Sequence, residues 1–174
     1  MTTADQIISA PELTSLAVRI GERLCARGWS VATAESCTGG WIAKTLTDIA
    51  GSSAWFERGF VTYSNASKHE LLGVSSTLIA EQGAVSGPVV RAMVAGALAH
   101  SHAQVALAVS GIAGPGGGSP DKPVGTVWFA WGQTADTIVT RRVCFAGERE
   151  AVREQAVYTA LFGLLDLLKR NATL

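Results

Sequence analysis

The sequence predicts an α/β fold, a three-layer α/β/α sandwich with a mixed sheet, in one domain covering residues 1–174. Three observations carry this. Segments of helical periodicity alternate along the chain with short apolar, β-branched segments. Val105 to Val109 is apolar on both sides, as in a strand covered by helices on either face. The last two strand-like segments read as a hairpin across Gln133 to Asp136, which makes the sheet mixed.

Taken in order, Glu12 to Arg27 reads as an amphipathic helix. Leu13, Leu16, Ala17, Ile20 and Leu24 form its apolar stripe, Pro11 suits its first turn and Gly28 its stop. Trp29 to Ala34 reads as a buried strand, followed by a glycine-rich turn and a helix from Trp41 to Ile49. Phe60 to Tyr63 is a second strand, leading into a helix over Lys68 to Leu72. Ser76 to Gln82 is a short helix ended by Gly83. Ser86 is an N-cap candidate, with Pro88 in the next first turn. After the Val105 strand comes a loop from Gly111 to Pro123, then strands over Gly125 to Trp131 and Thr137 to Phe145. A long helix, Glu148 to Lys169, closes the chain.

Composition excludes several classes. Hydrophobic residues make up 48% and charged residues 16%, the reverse of a disordered chain. Fourteen Lys plus Arg balance fourteen Asp plus Glu. With no basic excess, neither a nucleic-acid partner nor a membrane partner is expected. Met1 to Ala10 carries Asp5 and no basic residue, unlike the start of a signal peptide. No run of about 18 apolar residues suggests a membrane span. Cys25, Cys37 and Cys144 are odd in number and far apart, unlike a disulfide framework. The expectation is a cytoplasmic protein with reduced thiols.

Three constellations could carry chemistry. In Ala34-Glu35-Ser36-Cys37-Thr38-Gly39-Gly40, a hydroxyl and a thiol stand between a strand and a helix start. Unpaired N–H groups there suit an anion or an oxyanion, and an ordinary N-cap fits the same pattern. Ser36 and Cys37 compete as nucleophile, and spacing does not choose between them. In Tyr63-Ser64-Asn65-Ala66-Ser67-Lys68, polar groups crowd a strand end, where α/β proteins bind ligands. A desolvated Lys68 could act as a base, and a solvated helix-start lysine fits equally. The loop from Ser110 through Gly111, Gly114, Gly116 and Gly117 could wrap a phosphate with backbone donors, or merely connect two strands. It is neither a Walker loop nor a dinucleotide fingerprint. No Cys/His set has metal spacing, so no metal and no cofactor are expected.

These segments, with Gly83-Ala84-Val85-Ser86 and Lys122-Pro123-Val124-Gly125-Thr126-Val127, occur in one order over Leu13 to Leu168. The chain thereby resembles the CinA (competence/damage-inducible protein A) C-terminal domain family. The resemblance implies hydrolysis of the carboxamide of nicotinamide mononucleotide to nicotinate mononucleotide and ammonia. It also implies a serine nucleophile with a lysine and a tyrosine nearby: Ser36, Lys68 and Tyr63, the last relaying a proton or holding the lysine. Cys37, Thr38, Gly39 and Gly40 would supply oxyanion donors. Asn65, Ser110, Gly111, Gly114, Gly116 and Gly117 would face the nucleotide. Two other readings fit the resemblance: a nucleotide-binding regulatory module without catalysis, and a competence or DNA-damage accessory protein. Zero net charge argues against direct DNA contact. A homo-oligomer is expected; Trp41, Trp55, Phe56, Trp128 and Trp131 exceed what a small core needs, so some could lie in its interface, and simple core packing fits them as well. Arg58, Lys44, Lys122, Arg141 and Arg142 are all open as the cation that meets the phosphate.

Overall fold

The structure is a computed structural model, and it describes residues 9–170. Residues 1–8, with most of the segment read as lacking a signal start, lie outside them. The first helix, α1 (Ala10–Cys25), begins at Ser9, whose N–H and hydroxyl both donate to Glu12 Oε2 at 2.7 and 2.9 Å. That closes the first turn, where backbone donors would otherwise go unpaired. The expected stripe of Leu13, Leu16, Ala17, Ile20 and Leu24 is buried. Strand β1 (Val31–Glu35) is buried throughout, and α2 (Trp41–Thr47) follows it. A short 3-10 turn, Ser52–Ala54, leads into β2 (Phe56–Val61). Three helices come next: α3 (Asn65–Leu72), α4 (Ser76–Gln82) and α5 (Gly87–Ala99). Ser86 caps α5 as expected, its Oγ accepting the Val89 N–H. Strands β3 (Val105–Gly111), β4 (Thr126–Gly132) and β5 (Val139–Cys144) complete the sheet, and α6 (Arg149–Arg170) closes the chain.

The sheet is mixed, in the order β2-β1-β3-β4-β5. β2, β1 and β3 run parallel, and β4 and β5 return antiparallel. Helices α1, α2 and α6 cover one face, and α3, α4 and α5 the other. The strands divide their side chains by size. Val31, Val105, Leu107, Val109, Val127, Phe129 and Trp131 face the α1/α2/α6 layer. Ala32, Ala34, Ala106, Ala108 and Ala130 face the other, and this small-residue surface lets α5 settle close to the strands.

Two close approaches fix helices in place. On α6, the Ala160 carbonyl accepts the Trp131 indole N–H at 2.8 Å, and a Cβ at Gly163 would stand 2.3 Å from that ring. On α5, a Cβ at Gly96 would stand 2.0 Å from the Leu72 carbonyl oxygen of α3. Of the five aromatic residues weighed between interface and core, Trp55 and Trp131 are buried in the core, and Trp41, Phe56 and Trp128 pack against the two cores while partly exposed.

The register puts the ends of the parallel strands level. Glu35 pairs with Val61 on one side and Val109 on the other. Ser36, Thr62 and Ser110 therefore emerge together at one end of the sheet. The chain leaves β1 towards the α2 face and leaves β2 towards the α3 face, so a crevice opens where α/β sheets accept ligands.

Candidate active site

Ser36 is the first residue past β1. Its N–H donates to the Val109 carbonyl at 3.1 Å, which continues the β1/β3 pairing by one bond and holds the residue at the mouth of the crevice. Lys68 reaches the same point from α3. Ser64 starts that helix, its Oγ accepting the Ser67 N–H at 3.0 Å, so Lys68 lies one turn in and points back over the strand ends. Its Nζ stands 3.0 Å from Ser36 Oγ, 2.7 Å from the Thr62 carbonyl and 3.4 Å from the Tyr63 carbonyl. Lys68 is 1% exposed, and among the described residues it joins no salt bridge. Burial without a counter-ion disfavours the ammonium, and the lysine pKa is lowered from its ordinary value.

Glu35, quoted in the motif but given no role by sequence reasoning, organises the turn. It is buried at the end of β1 and faces α2. Oε1 accepts the Thr38 hydroxyl at 2.7 Å and the Ile42 N–H at 2.8 Å, and Oε2 accepts the Ala43 N–H at 3.0 Å. Its pKa is raised by burial against the pull of these bonds and of the Gly40 N–H. The α2 N-terminus is thus filled by the protein's own carboxylate. The Gly39 N–H is also taken, by the Ser36 carbonyl at 3.0 Å. In this turn the N–H groups of Cys37 and Thr38 have no acceptor among the described residues. Gly39 and Gly40, expected as donors, serve by conformation instead, with φ of 61° and 97°.

Cys37 is buried, and burial pushes its thiol pKa up to about 12, with the nearby Glu35 charge adding to the rise. That is the opposite of an activated thiolate. Tyr63 is exposed, and its phenol accepts an N–H from Arg149 Nη2 at 3.0 Å, so only its carbonyl reaches Lys68. Asn65 is exposed at the start of α3, on a separate hollow shared with His69 and Ser76. Ser110 is buried, and its hydroxyl donates to the Ala84 carbonyl at 2.9 Å. Gly111 lets β3 pass β4, since a Cβ there would stand 2.7 Å from Val127. Gly114 is held through its carbonyl by Arg149 Nη1 at 2.8 Å. Gly116 and Gly117 are exposed on the loop.

The cations around this turn are ones that sequence reasoning missed. Arg149 and Arg153 lie four residues apart on α6, hence on one face of it. Arg149 ties Tyr63 to the Gly114 loop. Arg153 donates from Nε to the Cys37 carbonyl at 3.0 Å and from Nη2 to the Thr38 carbonyl at 3.1 Å. Of the earlier candidates, Lys44 pairs with Asp48 at 2.6 Å and Arg58 with Glu57 at 2.7 Å. Lys122 donates to the Gln82 carbonyl and Arg142 to the Asp121 carbonyl. No cluster of three His, Cys, Asp or Glu is placed to hold a metal ion among the described residues. No helix among them is long and apolar enough to cross a membrane.

Residues 13–168 match the CinA C-terminal domain family. The chain belongs to that family. Nicotinamide-nucleotide amidohydrolase PncC of Escherichia coli K12 is 59% identical over 160 residues, which span 92% of this chain and 97% of that protein. The protein of the same name from Pseudomonas putida is also 59% identical, over 155 residues spanning 89% of this chain and 96% of that one. Among solved structures, the competence/damage inducible protein CihA of Agrobacterium tumefaciens superposes with a TM-score of 0.87 at 45% identity. It covers 90% of this chain and 95% of its own. The CinA-family fold is therefore common to this chain and its relatives, as the motif order implied.

Proposed function

We propose that this chain is a nicotinamide-nucleotide amidohydrolase, which cleaves the carboxamide of nicotinamide mononucleotide through a Ser36 nucleophile and a Lys68 base. One observation carries the reading: a buried lysine with no counter-ion among the described residues, its Nζ 3.0 Å from Ser36 Oγ. A neutral amine has two N–H donors and one lone pair. The Thr62 and Tyr63 carbonyls match the two donors, which turns the lone pair towards the Ser36 hydroxyl. The names and identities of the PncC relatives support the choice of amide and nucleotide.

Ser36 Oγ attacks the carboxamide carbon while its proton passes to Lys68 Nζ. The oxygen of the tetrahedral intermediate faces the free Cys37 and Thr38 N–H groups. Lys68 then returns the proton to the nitrogen, the C–N bond breaks, and ammonia leaves an ester on Ser36. Water adds to that ester, Lys68 takes its proton, and the carboxylic acid departs as Ser36 regains its hydrogen. Tyr63 serves by its carbonyl, which helps hold Nζ, while its phenol stays with Arg149 at the mouth. The exposed Gly116 and Gly117 backbone lies two and three residues beyond the carbonyl that Arg149 holds, and with that cation it suits the phosphate.

The test is ammonia release from nicotinamide mononucleotide. Ser36→Ala loses about 10³-fold or more, since only positioning and oxyanion effects survive removal of a nucleophile. Cys37→Ala keeps most of the activity. A dead Cys37→Ala enzyme beside an active Ser36→Ala enzyme overturns the assignment.

A further inference from the structure

We infer that Arg153 is a positioning residue for this hydrolysis: it orients the backbone donor that receives the oxyanion, and it does so from outside the reacting centre. The inference rests on the amidohydrolase reading above.

The argument is one of peptide geometry. In a trans peptide the C=O of one residue and the N–H of the next lie in one plane and point in opposite directions. Arg153 Nε holds the Cys37 carbonyl at 3.0 Å. The N–H in that same plane belongs to Thr38, so it must point away from α6. The guanidinium also holds the next carbonyl, Thr38, at 3.1 Å, and that plane carries the Gly39 N–H already bonded to Ser36. Two successive peptides are therefore gripped by one rigid fork, a geometry that a lysine's single point of charge cannot reproduce. From the other side the buried Glu35 holds the Thr38 hydroxyl at 2.7 Å. Thr38 is thus fixed by its side chain and its carbonyl, and its N–H is the group left without an acceptor among the described residues.

A cation on a carbonyl also polarises the amide and makes its N–H a stronger donor. Arg153 is itself restrained, its guanidinium lying 5.5 Å over the Trp41 ring. A donor preset in this way need not reorganise as charge develops, which is where oxyanion stabilisation acts. A cleft lined by Thr38, Gly39, Gly40, Trp41, Lys44 and Arg153 itself leaves the guanidinium reachable by a small solute among the described residues.

The experiment measures steady-state ammonia release from nicotinamide mononucleotide by the full chain for wild type, Arg153→Met, Arg153→Lys and Ser36→Ala. Arg153→Met is expected to lose about 10–100-fold in kcat, with KM within about threefold of wild type. Misaiming a donor costs less than the roughly 10²–10³-fold for deleting one. Added methylguanidinium should restore part of that kcat through the cleft, whereas a merely structural arginine would gain nothing from it. Arg153→Lys should fall between the two. A rise in KM at unchanged kcat would make Arg153 a substrate contact and overturn the inference. So would wild-type kcat in Arg153→Met, or in Arg153→Lys should the methionine variant fail to fold. Ser36→Ala stands apart: if it keeps wild-type turnover, the amidohydrolase mechanism itself fails, whatever Arg153 does.

Discussion

At Lys68 the chain buries a long amine side chain whose Nζ meets three oxygens among the described residues. The cost has a definite sign. Burial lowers the folded pKa below the ordinary 10.5. Between those two values the unfolded chain binds a proton that the folded one refuses, so stability is lost as pH falls from 10.5 and levels off below the folded pKa. Lys68→Met lacks this linkage. Its melting temperature minus that of wild type should therefore grow more positive as pH is lowered through that window, and a pH-independent difference would contradict it. Activity should follow the same titration, rising with pH along an acidic limb that Lys68→Arg abolishes, because arginine keeps its proton. Ser36 and Lys68 were legible as candidates, and the family resemblance rather than spacing set them above Cys37 and above a solvated lysine. Glu35, Arg149 and Arg153 were not. A glutamate ending a strand gives no sign of being buried, Arg153 meets the turn from more than a hundred residues away along the chain, and Arg149 reaches Tyr63 across 86.

At the scale of elements, apolar pattern succeeded where packing decides and failed where backbone pairing does. α4 falls where the spacing put it, and α1, α2 and α6 lie within two residues of their expected ends. β2 does not. It runs over Phe56–Val61, four residues ahead of the expected start, because Glu57, Arg58 and Gly59 show no alternation. This is an edge strand, half of its residues open to solvent, interrupted by a register shift opposite Val31 and Ala32 and held by its ladder to β1. Between helices the contacts are tighter than composition suggests. Gly96→Ala adds a methyl group 2.0 Å from a backbone oxygen of α3, which cannot rotate away. The overpacking should cost about 1–3 kcal/mol, outweighing the helix preference of alanine. Thermal melts should show a drop of several degrees in a chain of this size. Kinetics should register it too, since Leu72 is one helical turn beyond Lys68. An unchanged melting temperature would mean that α5 is free to move off α3.

Seen whole, the molecule holds its site between a sheet edge of three level strand ends and the first two turns of α6. The sheet is anchored by its pairing. The helix is anchored much farther along, where Trp131 grips Ala160 and the bare surface of Gly163. Ten residues separate Gly163 from Arg153, about 15 Å of helix. An α-helix is stiff over that length, so any displacement or roll at the indole is delivered to the guanidinium groups like the turn of a key to the wards of a lock. Gly163→Ala should therefore lower kcat as well as the melting temperature, in a variant that alters no atom near Ser36. A second substitution that trims the indole, such as Trp131→Phe, should recover part of the lost turnover. If the pair showed no such recovery, α6 would have to flex between its two ends. If it does, the rate of this enzyme is adjustable from the opposite end of a helix, and screens for faster or slower variants have reason to sample the back of the domain as closely as its mouth.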